Sequence, residues 1–138
     1  TTYSGIRDWQ MEMNYLSRFT EGDEWPETRV PVSNMRRFLK GDLNRTTVRC
    51  NTPIQGAGAA ILKCALGNLW VKVKETGEDK VRIAAAVHDE LILLVKEDLA
   101  DEWAEILKTT MENAEAKWLG DVPALAEVSI GDRWSEVH

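Results

Sequence analysis

A chain of 138 residues with 43% hydrophobic and 29% charged side chains is long enough to bury one core and too apolar for a disordered tail. No apolar run approaches the roughly 20 residues of a membrane-spanning helix, and no secretory leader is visible. The net charge of −6 conceals an asymmetry: residues 1–70 hold nine Lys/Arg against seven Asp/Glu, whereas residues 71–138 hold eight against 16.

From Ser4 to Phe19, Ile6, Trp9, Met13, Leu16 and Phe19 recur at helical spacing. This predicts an amphipathic helix capped by Ser4 and ended by Glu21-Gly22-Asp23. Pro26 and Pro31 frame Thr28-Arg29-Val30, which suits a short edge strand or an extended loop. Met35–Lys40 reads as a brief helix stopped by Gly41, and Asp42–Arg49 as a second one capped by Asp42. Residues 29–49 hold Arg29, Arg36, Arg37, Lys40, Arg45 and Arg49 against the single acid Asp42. Such a segment in an acidic chain is either a phosphate-contacting surface or a solvated helix face.

Asn51-Thr52-Pro53-Ile54-Gln55-Gly56 is expected to open a largely buried helix reaching about Lys74, with Pro53 in the first turn, where its missing N–H costs nothing. The run Gly56-Ala57-Gly58-Ala59-Ala60 lowers helix propensity, each Gly by about 1 kcal/mol relative to Ala. Something must therefore approach that backbone closely, either a neighbouring element or a bulky ligand such as a nucleic-acid strand. Cys50 and Cys64 lack metal-ligand spacing and read as free thiols of a reducing compartment.

Thr76-Gly77-Glu78-Asp79 is a turn. Ile83–Val87 and Leu91–Val95 follow as two apolar runs with the composition of strands buried on both faces, although periodicity alone also admits a buried helix. Between them His88-Asp89-Glu90 forms the tip of a tight hairpin. Two adjacent carboxylates repel unless a cation or a substrate proton lies between them, so chemistry is expected there. Asp98 is the expected N-cap of a helix to about Trp118, whose inner stripe is Leu99, Trp103, Ile106, Leu107, Thr110, Ala114 and Trp118. Gly120 and Pro123 close it. In Ala124–Ile130 the even positions are apolar while Glu127 and Ser129 face the other way, the pattern of a half-buried strand. Trp134 is expected to cap the core. The fold class is thus α+β: an antiparallel sheet of at least three strands, hairpin plus C-terminal strand, packed against long helices.

Three blocks in this order and spacing resemble the C-terminal part of the palm of family A DNA polymerases. They are Asn51-Thr52-Pro53-Ile54-Gln55-Gly56, Val87-His88-Asp89-Glu90-Leu91, and Gly131-Asp132-Arg133-Trp134 through His138. On this resemblance residues 1–50 are connecting helices and the basic segment, and 51–138 the duplex-contacting helix, hairpin, helix and final strand.

The resemblance implies DNA-templated nucleotidyl transfer by a two-metal mechanism, with two Mg²⁺ ions acting on the primer 3′-hydroxyl and the leaving pyrophosphate. Asp89 would be a metal-binding aspartate, Glu90 a secondary partner of the metal site, and His88 a supporting residue near the primer terminus. Asn51 and Gln55 would contact the template–primer duplex in its minor groove, where paired donors and acceptors barely distinguish sequences. Many relatives carry a basic residue where this chain has Thr47. Arg45 and Arg49 flank that position, and which of them touches DNA is open. Ala57-Gly58-Ala59-Ala60 leans towards phage-type members.

No counterpart of the family's first motif, which supplies the other aspartate, is found, nor of the triphosphate-binding fingers. The chain is therefore expected to be inactive alone, as a fragment or subunit whose partners are template–primer DNA, deoxynucleoside triphosphates and the rest of a polymerase. The setting would be the cytoplasm of a bacterium or of a phage-infected host, with no membrane involved. Two other classes compete: a non-catalytic duplex-binding module, and an unrelated His/Asp/Glu metal hydrolase, which leaves the Gln55 block and the tail unexplained.

Overall fold

The structure, a computed structural model, describes residues 3–16, 27–40 and 45–137. It divides into two compact units, Thr1–Ala60 and Ile61–His138, through both of which one long helix runs.

In the first unit, helix α1 spans Ser4–Leu16. Trp9 and Met13 are half-buried, while Ile6, placed on the inner stripe by its spacing, is exposed. Phe19, Glu21-Gly22-Asp23, Pro26 and the expected caps Gly41 and Asp42 lie outside the described residues. Strand β1, Glu27–Arg29, falls where the two prolines predict an extended segment. Residues 36–38, expected to be helical, instead form strand β2, Arg36–Phe38. It pairs antiparallel with β1 in the register Glu27↔Phe38, Thr28↔Arg37, Arg29↔Arg36. The connecting turn is closed by Val30 and Asn34: Val30 N–H donates to the Met35 carbonyl at 3.0 Å and Asn34 N–H to the Val30 carbonyl at 2.7 Å. Asn34 supplies the left-handed φ of 53° that the turn needs, which asparagine tolerates better than most side chains.

Helix α2 is a single helix from Thr46 to Thr76 with Pro53 inside it. This corrects the expectation of a short helix to Arg49 followed by a new one opened at Asn51. The reason is a buried stripe that ignores the proline: Arg49, Cys50, Thr52 and Pro53 are buried, and Ala65, Leu69 and Val73 continue at four-residue spacing. Burial of a continuous face outweighs the hydrogen bond that proline removes and its local steric cost, about 3 kcal/mol in a helix interior. The helix is not buried all round, however. Ile54, Trp70 and Val71 are exposed, and the Lys74 ammonium sits over the Trp70 ring at 4.5 Å.

Gly56 answers the close-approach question in the simpler way. A Cβ there would run into the side chain of Val30, itself fully buried. Gly58 faces open space.

In the second unit, Gly77, with φ of 108°, lets the chain leave α2. Its N–H donates to the Val73 carbonyl at 2.9 Å, and its own carbonyl accepts from Lys80 and Val81. Strands β3, Val81–Val87, and β4, Glu90–Val95, form an antiparallel hairpin. Contrary to expectation, β3 is buried on one face only: Val81, Ile83, Ala85 and Val87 are wholly or partly buried while Arg82, Ala84 and Ala86 are exposed. Alanine carries little apolar area, so leaving two of them in solvent costs little. Ala84 has no partner in the ladder, and the register shifts between Ile83 and Ala85. Such a bulge bends and twists the strand.

A single turn of 3₁₀ helix, Glu97–Leu99, leads into helix α3, Ala100–Leu119. Asp98 lies within that turn and is not the N-cap. That position is Leu99, which makes no side-chain cap. The four fully buried core residues come from three elements: Leu69 and Val73 of α2, Val81 of β3 and Trp103 of α3. Ile83, Leu91, Leu93, Val95, Leu99, Ile106 and Leu107 pack around them. Trp118, expected on the inner stripe, is exposed beside Lys117, and Gly120 ends the helix at a φ of 60°.

The C-terminal strand is not formed. Residues 124–130 belong to no ladder, and the described residues hold two separate two-stranded sheets. The alternation is nevertheless real, with Ala124, Ala126 and Val128 half-buried and Leu125, Glu127 and Ser129 exposed. Among the described residues no backbone pairs with the segment, and Ala126 N–H donates to Glu112 Oε1 at 3.2 Å. Trp134 opens the four-residue helix α4, Trp134–Val137, and is 53% exposed, so it does not cap the core. Cys50 and Cys64 are free thiols.

Candidate nucleic-acid interface and carboxylate tip

Two sites were expected, and each is built within one unit. In the first unit, one turn of α2 separates Thr47 from Asn51 and another separates Asn51 from Gln55, so all three share a face. Together with Val48, Thr52 and Arg37 they line a shallow depression of about 230 Å³. Asn51 and Gln55 are exposed, leaving their amides available to a ligand.

The arginines of the basic segment differ in placement. Arg49 is 7% exposed, and its Nη1 donates to Asn14 Oδ1 at 3.4 Å. Arg45 is exposed, at the start of α2. The guanidinium that does reach the Asn51–Gln55 face is that of Arg37 on β2. Its Nη1 donates to Thr52 Oγ1 at 3.2 Å, and Thr52 Oγ1 donates in turn to the Val48 carbonyl at 2.7 Å. The threonine proton is thus committed to the helix backbone and its lone pair to the arginine. Arg37 belongs to the basic segment visible in the sequence, but reading residues 35–40 as helix hid its direction. In a strand, neighbouring side chains point to opposite faces, which sends Arg36 and Arg37 to different partners.

Arg36 and Arg29 converge on Glu27. Arg29 Nε donates to Glu27 Oε1 at 3.0 Å, with Nη2 of the same guanidinium 2.9 Å away. Arg36 Nη1 lies 3.5 Å from Oε2, a contact too long to satisfy that buried oxygen as a hydrogen bond. Glu27 is only 9% exposed, so two guanidiniums balance one carboxylate taken out of water.

In the second unit the closing pair Val87↔Glu90 leaves a two-residue loop, His88-Asp89. His88 carries a φ of 55°, as the first central residue of the twist-matched hairpin turns must. All three polar residues of the triplet are exposed. They stand at the end of a ladder whose other end is anchored by Val81 in the core. Among the described residues no group of three or more His, Cys, Asp and Glu side chains is placed to hold a metal ion. The carboxylates of Asp89 and Glu90 are nonetheless the hard oxygen donors that Mg²⁺ takes, and Mg²⁺ is commonly held by one or two carboxylates plus substrate phosphates. The donor chemistry of the tip fits that ion as part of a larger site.

A family model described as DNA polymerase family A matches residues 2–136. The chain is similar to DNA polymerase I of Pseudomonas aeruginosa, 38% identical over 113 residues that cover 82% of this chain and 11% of the relative. It is similar also to DNA polymerase I of Lactococcus lactis subsp. lactis, 35% identical over 138 residues, covering 97% of this chain and 15% of the relative. Among solved structures it resembles the POL domain of Pol1 from M. smegmatis in complex with DNA primer-template and dNTP. The TM-score is 0.68 at 28% identity, with 88% of this chain and 21% of that chain covered. The chain thus spans between 11% and 21% of the length of these matches. No described helix is long and apolar enough to cross a membrane. Matched along nearly its whole length, the chain belongs to DNA polymerase family A.

Proposed function

We propose that this chain is a palm segment of a DNA-directed DNA polymerase, working only together with the rest of such an enzyme. It would grip the template–primer duplex through the Asn51–Gln55 face and present Asp89 to the nucleotidyl-transfer site. The observation that carries the reading is the hairpin tip, where Asp89 and Glu90 project into solvent from a rigid ladder. An exposed aspartate at the tip of a stiff support suits a group that must meet a ligand.

In this reading Asp89, with Glu90 beside it, would hold Mg²⁺, which when bound supplies positive charge against the attacking and leaving oxygens. His88 sets the turn and faces the primer terminus. Asn51 and Gln55 offer donor and acceptor to minor-groove base edges, which hold the duplex without selecting its sequence. The other donors would be substrate phosphates, water and side chains from the rest of the polymerase. The M. smegmatis polymerase domain, solved with primer-template and dNTP, motivates the same ligands here.

One rival is a duplex-binding module without chemistry, which the Asn51–Gln55 face would support by itself. Asp89→Ala in a polymerase reconstituted around this segment separates the two. Primer extension should fall by at least about a hundredfold, as for loss of a principal electrostatic group, while duplex affinity is retained. Unchanged extension removes Asp89 from the mechanism and leaves the binding module. The unassembled chain should add no nucleotide in the presence of Mg²⁺.

A further inference from the structure

We propose that Arg37 is a phosphate contact of the Asn51–Gln55 face, delivered to it by β2 and held there by Thr52. The inference rests on the duplex-binding reading of that face and adds the cation that the face itself lacks. Helix α2 contributes only neutral groups to the depression: Thr47, Val48, Asn51, Thr52 and Gln55. Amide side chains can read a groove edge but do not neutralise a phosphate, and affinity for duplex comes chiefly from cations on phosphates.

Three observations point to Arg37. It lines the same depression as Asn51 and Gln55. One of its five donors is used on Thr52, and it makes no ion pair among the described residues, so the rest of the guanidinium is available to an oxyanion. Its strand neighbour has the opposite fate, because Arg36 is drawn to Glu27 and over the Phe38 ring at 5.4 Å. Thr52 is buried and its hydroxyl is fixed by the Val48 carbonyl, so the arginine is held before any ligand arrives. Preorganisation of that kind lowers the ordering cost of binding. The position also accounts for Thr47. With a guanidinium arriving from the hairpin, a cation at that helix position is not needed.

The test is the salt dependence of duplex binding by a polymerase reconstituted around this segment, followed by fluorescence anisotropy on a labelled primer–template. Arg37→Gln should reduce the slope of log K against log salt by about 0.9, the share of one phosphate, and weaken binding about tenfold near 0.1 M salt. Arg37→Lys should keep the slope. Arg36→Gln removes the same charge one residue away and should leave the slope unchanged. Asn51→Ala should weaken binding without altering the slope.

If Arg37→Gln leaves slope and affinity intact while Asn51→Ala weakens binding, the arginine assignment is wrong and the face stands. Equal losses for Arg36→Gln and Arg37→Gln would reveal a diffuse charge effect and also overturn it, as would Arg37→Lys behaving like Arg37→Gln. Should neither Asn51→Ala nor Arg37→Gln matter, the reading of the face fails and the proposal with it. Urea midpoints of the four variants, all at exposed positions, establish that the fold is retained.

Discussion

At the scale of single residues, the hairpin tip separates what the fold needs from what a ligand needs. His88 occupies a left-handed conformation at φ 55°, which costs a non-glycine residue of order 1–3 kcal/mol where it is imposed. Histidine, like Asn and Asp, tolerates it better than most side chains, and β-branched ones tolerate it worst. His88→Val should therefore lower the stability of the chain by about 1–2 kcal/mol, whereas His88→Asn should be nearly neutral. Asp89 is exposed, and no turn or cap hydrogen bond uses its side chain. Asp89→Asn should stay within about 0.5 kcal/mol of the parent. Urea denaturation followed by far-UV circular dichroism checks all three. A large loss for Asp89→Asn would make that carboxylate a structural group and weaken the case for its placement at a reaction site. Sequence alone located this triplet because two apolar runs with a polar interruption admit few geometries. It could not weigh Arg37 against Arg49, since the difference is the direction in which each side chain leaves its element.

At the scale of elements, Gly56 and Gly58 of α2 make opposite predictions from the same substitution. Replacing Gly by Ala in a helix interior gains up to about 1 kcal/mol from propensity alone. Gly58 faces open space, so Gly58→Ala should realise roughly 0.5–1 kcal/mol of that gain. At Gly56 the new methyl meets the fully buried Val30, and overpacking of a filled site costs typically about 1–3 kcal/mol. Gly56→Ala should therefore be destabilising on balance, with a urea midpoint below that of the parent. Equal stabilisation by both would mean that β1 and its turn are not seated on α2.

The same elements show where sequence reasoning stopped. The long helices, the hairpin and the Gly77 turn carry strong local signals: periodicity, apolar runs bounded by polar residues, and a residue suited to positive φ. Strand β2 carries none, because three residues reading Arg-Arg-Phe have no resolvable period and acquire their conformation from pairing with β1. Pro53 misled in the opposite direction. Its local preference for a first helical turn was overridden by burial on either side. Residues 124–130 display a strand's alternation without a strand, since a ladder requires a partner backbone and none of the described residues supplies one.

At the scale of the whole molecule, the tip is only as rigid as the core of the second unit. That core is one cluster: Trp103 is the largest fully buried side chain, and it joins α3 to α2 through Leu69 and Val73 and to the hairpin through Val81. Truncating a buried tryptophan costs about 3–5 kcal/mol. A unit of this size holds only about 4–12 kcal/mol, at 0.05–0.15 kcal/mol per residue. Trp103→Ala should thus remove a large part of its stability. In hydrogen exchange, the amides of β3 and β4 should lose two to three orders of magnitude of protection, each factor of ten being about 1.4 kcal/mol. A reconstituted polymerase carrying Trp103→Ala should extend primers poorly even though Asp89 is intact, and cooling should restore part of that activity as the folded population recovers. Asp89→Ala, by contrast, should leave protection unchanged and show no recovery on cooling. A variant at Trp103 that kept full hairpin protection would mean that β3 and β4 are held by something other than this cluster, and the argument for a stiffly presented carboxylate would need a different support.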